Sequence, residues 1–109
     1  MTNGEWQIQP AVWRRIKDIS KNDLRVTVIG KIIDKAKDAL VLDDGTGKIT
    51  IRFNEEMRAN LEKVKTGDQV KILGAVVPLE KATELNGEII QLYNVDKRLI
   101  NKVFELIYE

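Results

Sequence analysis

From Arg25 to Val95 the chain repeatedly alternates hydrophobic and polar positions, in short runs separated by turn residues. Such a period of two predicts half-buried β-strands. The first run, RVTVIGKIID from Arg25 to Asp34, is β-branched with Gly30 inside it. A glycine inside a strand marks a bulge or a sharp barrel bend. ALVLDD, from Ala39 to Asp44, predicts a second strand, and Gly45-Thr46-Gly47 a tight hairpin. KITIRFN, from Lys48 to Asn54, alternates cleanly: Ile49, Ile51 and Phe53 share one face, and Lys48, Thr50 and Arg52 the other. DQVKILGAVVPLE, from Asp68 to Glu80, predicts a fourth strand with Gly74 at its centre, Lys81 to Gly87 a hairpin loop, and GEIIQLYNV, from Gly87 to Val95, a fifth strand. Three stretches switch to helical spacing. Pro10 to about Ile19 places Val12, Ile16 and Ile19 on one side, with Trp13 beside them. Glu55 to Gly67 places Met57, Leu61 and Val64 in register, with Gly67 as a C-terminal stop. Lys97 to Tyr108 reads as an amphipathic helix.

The expected order is helix, three strands, helix, two strands, helix. An antiparallel meander with a helix between its third and fourth strands has the chain order of the five-stranded OB barrel. Mid-strand glycines suit strands that bend sharply to serve two sheets. The expected fold is therefore mainly β: an OB barrel over residues 24–95, an N-terminal extension with a short helix over 1–23, and a C-terminal oligomerisation helix over 96–109.

Composition narrows the chemistry. The 109 residues include neither histidine nor cysteine. Disulfides, thiolate metal sites and the commonest general base are thereby excluded. No nucleophile or paired-carboxylate arrangement sits beside a glycine-rich phosphate loop, so no catalytic residue, metal site or cofactor is expected. No run approaches the roughly 20 apolar residues that span a bilayer. A cytoplasmic location is expected, nucleoid-associated in an archaeon or nuclear in a eukaryote. Net charge is +1, and the barrel stretch is balanced, with 11 Lys+Arg against 11 Asp+Glu over residues 24–95. Any phosphate-binding surface must come from local placement of charge.

The runs RVTVIGKIIDK, LVLDDGTGKITIRF, GDQVKILGAVV and NGEIIQL resemble the small OB-fold subunits of archaeal and eukaryotic replication protein A, and the related telomere-capping OB proteins. The likeness extends from Asp23 to Tyr108, and its most specific piece is Val41 to Gly47, V-L-D-D-G-T-G. It implies a non-catalytic subunit of a complex that binds single-stranded DNA in replication, repair and recombination.

On the residues themselves, Asp43 and Asp44 read as turn formers rather than metal ligands, because aspartate bonds local backbone N–H groups. The exposed face of the second and third strands carries nucleic acid in OB folds. Lys48 and Arg52 are thus candidate phosphate contacts with Thr50 between them, and Arg25, Lys31 and Lys71 are further candidates of lower weight. Only six aromatic residues exist. Phe53 has core parity, Trp13 reads as a packing residue, Trp6 lies in the tail, and Tyr93 is the candidate stacking platform. So thin a supply predicts that the barrel alone binds single strands weakly or not at all.

In the last helix Leu99, Val103 and Leu106 form one seam, flanked by Ile100 and Ile107, with Phe104 further round. An apolar arc this wide exceeds what one barrel covers. The resemblance implies that this helix joins those of other OB subunits, so the expected partners are those subunits and single-stranded DNA. Two other readings stay open: an OB module that binds only protein, and an RNA-binding OB domain.

Overall fold

The β-branched alternating runs form strands where expected, and a computed structural model describes residues 11–93, 98–100, 102 and 105. The strands are β1 (Val12–Trp13), β2 (Arg25–Lys35), β3 (Ala39–Asp43), β4 (Lys48–Arg52), β5 (Gln69–Pro78) and β6 (Thr83–Leu92). The five predicted strands are β2 to β6. They pair in the order β1-β2-β3-β4-β6-β5, and a β2–β5 pairing closes the sheet into a barrel. All barrel pairs are antiparallel except β4 with β6, which meet in parallel at Ile51↔Leu85 and Arg52↔Asn86. This is the OB barrel.

Closure requires β2 to serve two sheets. Residues 25–31 pair with β5 and residues 31–35 with β3. Gly30 lies at that changeover, where a Cβ would come 2.8 Å from the carbonyl oxygen of Asp43. Gly74 and Gly87 face one another across β5 and β6, beside a register shift that leaves Glu88 as the extra residue. A Cβ on Gly74 would meet the Asn86 carbonyl oxygen at 2.8 Å, and one on Gly87 would run into the Phe53 ring. The glycines therefore permit close approach. The bulge in β2 itself falls at Ile33, not at Gly30.

The inward rows fill the barrel: Val26, Val28 and Ile32 from β2, Leu40 and Leu42 from β3, Ile49 and Ile51 from β4, Val70 and Ile72 from β5, and Leu85 and Ile90 from β6. Phe53 joins them, as its parity predicts. A short 3-10 turn (Glu55–Met57) continues into α1 (Arg58–Glu62), which brings Leu61 and then Val64 into the same core. Asn54 caps this element, its side chain accepting from the Met57 N–H. The helix lies between the expected strands but ends at Glu62. Gly67 sits instead in the turn before β5, where its N–H donates to the Ile32 carbonyl at 2.8 Å. The adjacent Asp68 carboxyl is held below its ordinary pKa, chiefly by the backbone N–H of Lys65.

The N-terminal segment departs from the sequence reading. In place of a helix from Pro10 to Ile19, the described residues form β1 and a 3-10 turn (Ile16–Asp18). The reason is tertiary. β3 pairs with β2 only from Lys31 onward, so before that point the edge of Val26 and Thr27 away from β5 is open. β1 pairs with that edge in parallel, and the Arg14 N–H donates to the Thr27 carbonyl at 3.0 Å. Backbone groups that would otherwise lack partners outweigh a modest helical preference. Arg14 then grips Asp23 at 3.2 Å, and Ile16 enters the barrel core, 8% exposed, with Ile19 packed alongside. Residues 11–19 thus complete one end of the barrel rather than extending from it.

The D-D-G-T-G turn holds this segment in place. Asp44 accepts from the N–H groups of Thr46 (2.8 Å) and Gly47 (3.2 Å), from the Thr46 hydroxyl (2.6 Å), and from the distant Ile16 N–H at 2.8 Å. Asp43 accepts from the Gly45 N–H at 2.7 Å. Both carboxylates are engaged as turn formers. Charge-assisted bonds of this kind contribute about 1.5–3 kcal/mol, so Asp44→Ala is expected to cost about 2–3 kcal/mol. Chemical denaturation checks this, and Asp43→Ala, which removes only the local bond, should cost less.

Candidate nucleic-acid interface

The alternation that turns Leu40, Leu42, Ile49 and Ile51 inward turns Val41, Asp43, Lys48, Thr50 and Arg52 outward. Register sets their neighbours. Lys31, Asp43 and Lys48 form one row across β2, β3 and β4, Asp34, Val41 and Thr50 the next, and Ala39 and Arg52 the third. Lys31 and Lys48 are exposed, and among the described residues neither has a carboxylate within 4 Å. Thr50 is half-buried between the two cations of its strand. A shallow depression of about 60 Å³ opens beside it, lined by Asp34, Ala39, Val41 and Thr50 among others. Lys31, Lys48, Thr50 and Arg52 are therefore brought onto one continuous surface.

Arg52 is not a bare cation. Its Nε donates to Glu84 Oε1 at 2.9 Å, and that bond raises the guanidinium pKa above its ordinary value. Glu84 comes from β6, brought alongside by the parallel β4–β6 pairing. The sequence reading places Glu84 in a hairpin loop from Lys81 to Gly87. In the structure β6 begins at Thr83, and the turn is closed by the Leu79 N–H on the Ala82 carbonyl at 2.8 Å. Asn86 and Gly87, at the end of that expected loop, lie instead within the strand, where Gly87 admits the Phe53 ring. Once β6 starts at Thr83 its parity puts Glu84 outward, but only the crossing with β4 sets it beside Arg52.

Two candidates fall elsewhere. Lys71 and Tyr93 lie on the β2–β5–β6 side of the barrel, around a second apolar cluster of Ile29, Ile100, Trp13 and Tyr93. The Lys71 ammonium sits 5.7 Å from the ring centres of both Trp13 and Tyr93, within cation–π range. Tyr93 is further held by its N–H to the Gln69 carbonyl at 2.9 Å and by Gln69 Nε2 to its own carbonyl at 2.7 Å. These side chains dock β1 and the chain beyond β6 onto the barrel and do not share the Lys48–Arg52 surface. Trp13 does pack, though from a strand. Arg25, also on this side, pairs with Glu88 at the bulge. Among the described residues the outward rows of β3 and β4 contain no aromatic side chain.

Residues 98–100, 102 and 105 are helical. Ile100 packs on Ile29 and is 9% exposed, whereas its neighbour Leu99 is 57% exposed. Val103, Phe104, Leu106 and Ile107 lie outside the described residues. Among the described residues, no helix is long and apolar enough to cross a membrane.

No protein-family model matches the chain, and no curated protein matches it. Solved structures do. The second OB-fold domain of replication protein A from Methanococcus maripaludis is 22% identical with a TM-score of 0.61, over 78% of this chain and 98% of that one. A chain of the S. pombe Stn1–Ten1 complex is 16% identical with a TM-score of 0.61, over 75% of this chain and 66% of that one. A chain of a replication protein A heterotrimer bound to single-stranded DNA is 16% identical with a TM-score of 0.56, over 75% and 73%. The same barrel also matches 25% of the length of Entamoeba histolytica asparaginyl-tRNA synthetase. At these identities the likeness establishes the OB fold, which hosts many functions.

Proposed function

We propose that this protein is a non-catalytic OB-fold subunit of a single-stranded-DNA-binding complex of the replication protein A kind. It joins other OB subunits through its C-terminal helix and adds a weak DNA contact through the outer β3–β4 face. The observation that carries the assembly role is the pairing of a docked Ile100 with an exposed Leu99 in one helical segment. That segment presents apolar side chains both to its own barrel and away from it. The solved neighbours lend support, since two of them belong to the Stn1–Ten1 complex and to a heterotrimer bound to single-stranded DNA.

The DNA role rests on Lys31, Lys48, Thr50 and Arg52 sharing the face. With no aromatic platform on that face among the described residues, stacking there contributes little, and phosphate contacts dominate what affinity exists. A titration against a labelled single strand of about thirty nucleotides, roughly two to seven OB site lengths, tests this role. Duplex DNA and RNA serve as controls. Salt-sensitive binding to the DNA single strand is expected. Arg52→Ala should weaken it and reduce the slope of log affinity against log salt by about 0.7 to 1. An unchanged slope removes Arg52 from the contact surface.

A further inference from the structure

The carboxylates of the β3–β4 face differ in what else they do. Asp43 accepts from the Gly45 N–H and Asp34 from the Lys35 N–H, so each holds local backbone. Glu84 has one described bond, to Arg52. Its side chain is 21% exposed, against 63% for that of Arg52, so the carboxylate is the better ordered partner and the guanidinium reaches over it. Two pairings set Glu84 in place: Val77↔Glu84 on one side, and the β4–β6 crossing at Ile51↔Leu85 on the other. The charge of Asp38, in the loop before β3, also raises the pKa of that guanidinium, less than Glu84 does. Negative charge from β6 and from the loop between β2 and β3 thus bears on Arg52.

We propose that Glu84 limits the affinity of this face by competing with phosphate for Arg52. The inference rests on the reading that the β3–β4 face meets single-stranded DNA. A guanidinium has five donors in a planar fork, and Glu84 takes Nε, which removes one of its two bidentate edges from an arriving phosphate. An exposed ion pair is held weakly, so an arriving strand can displace the carboxylate. Displacement leaves Glu84 beside the phosphate, and that like-charge contact opposes binding. A strand is then retained chiefly when neighbouring subunits already hold it and raise its local concentration. The face thereby discriminates against free phosphate polymers and favours a strand delivered within an assembly.

The test compares the whole chain with Glu84→Gln, Arg52→Ala and the double variant, by anisotropy against a labelled oligo-dT of about thirty nucleotides across a salt series. Glu84→Gln keeps the side-chain shape and removes the charge. It is expected to tighten binding about fivefold, the upper scale of an exposed ion pair that an arriving strand no longer has to break, and to steepen the salt slope by about 0.7. In the Arg52→Ala background the gain should fall below about twofold, because the two groups act as a pair. Glu84→Thr, which suits a strand position, must reproduce the gain. If Arg52→Ala weakens binding while both Glu84 variants match the parent, the competition is overturned and the face reading survives. If the gain persists in full without Arg52, Glu84 acts as a general negative charge and the proposal is again overturned. If no variant binds, or none differs from the parent, the face reading fails together with it.

Discussion

The double variant Leu99→Asp, Val103→Asp is expected to lose assembly with partner OB subunits while its barrel stays folded. Leu99 is largely exposed, whereas its neighbour Ile100 rests on Ile29 in the Trp13–Tyr93 cluster. A charge at an exposed position rarely alters stability by more than about 0.5 kcal/mol. A charge buried without a partner in an apolar interface costs several kcal/mol, enough to abolish association. Co-purification with candidate OB partners and thermal melting of the isolated chain therefore give opposite readings. Expected are loss of the complex and a melting temperature within a few degrees of the parent. Full-yield co-purification would remove the helix from the interface. Ile100→Asp should behave differently, loosening the helix from its own barrel.

A second large effect is expected at the seam that closes the barrel. β4 and β6 meet through only Ile51↔Leu85 and Arg52↔Asn86. Leu85 is 1% exposed and packs in the main core beside Ile51. Leu85→Ala removes that side chain from the seam, and the long β5–β6 ladder that holds Leu85 opposite Val76 resists collapse around the cavity. A cost of about 3–4 kcal/mol is expected, a large share of the roughly 5–15 kcal/mol that stabilises such a domain. The melting temperature should fall by more than about 10 °C. Leu79→Ala, at an exposed turn position, is the control and should cost less than about 0.5 kcal/mol. A loss below about 1 kcal/mol for Leu85→Ala would show that the seam does not govern closure.

The same seam bears on function. It places Glu84 against Arg52, and the affinity expected of the face depends on that neighbour as much as on Lys48 or Arg52. Under the proposed function, a face with interleaved Lys31, Asp43 and Lys48 would add its contact with DNA to that of partner subunits.

Alternation in Arg25 to Val95 was enough to locate the five barrel strands, though β6 begins four residues before its expected start, and the inward parity of Ile49, Ile51 and Phe53; helical spacing located the helix after β4 but ran it past Glu62. These are local properties: a strand with one buried face must repeat every two residues. The D-D-G-T-G turn was legible for the same reason, since an aspartate bonds N–H groups within three residues of itself. The shared surface of Lys48, Thr50 and Arg52 followed from one strand. What depended on distant segments could not be read. Val12 and Trp13 became a strand because β2 left backbone groups open, Ile16 was held by Asp44, and Lys71 and Tyr93 were drawn into the Trp13–Ile29 cluster. Glu84 reached Arg52 only through the parallel crossing of β4 and β6. The sequence alone determined which residues alternate. The tertiary structure decided which rows became neighbours, because barrel closure joins segments whose separation along the chain leaves no local periodic signal.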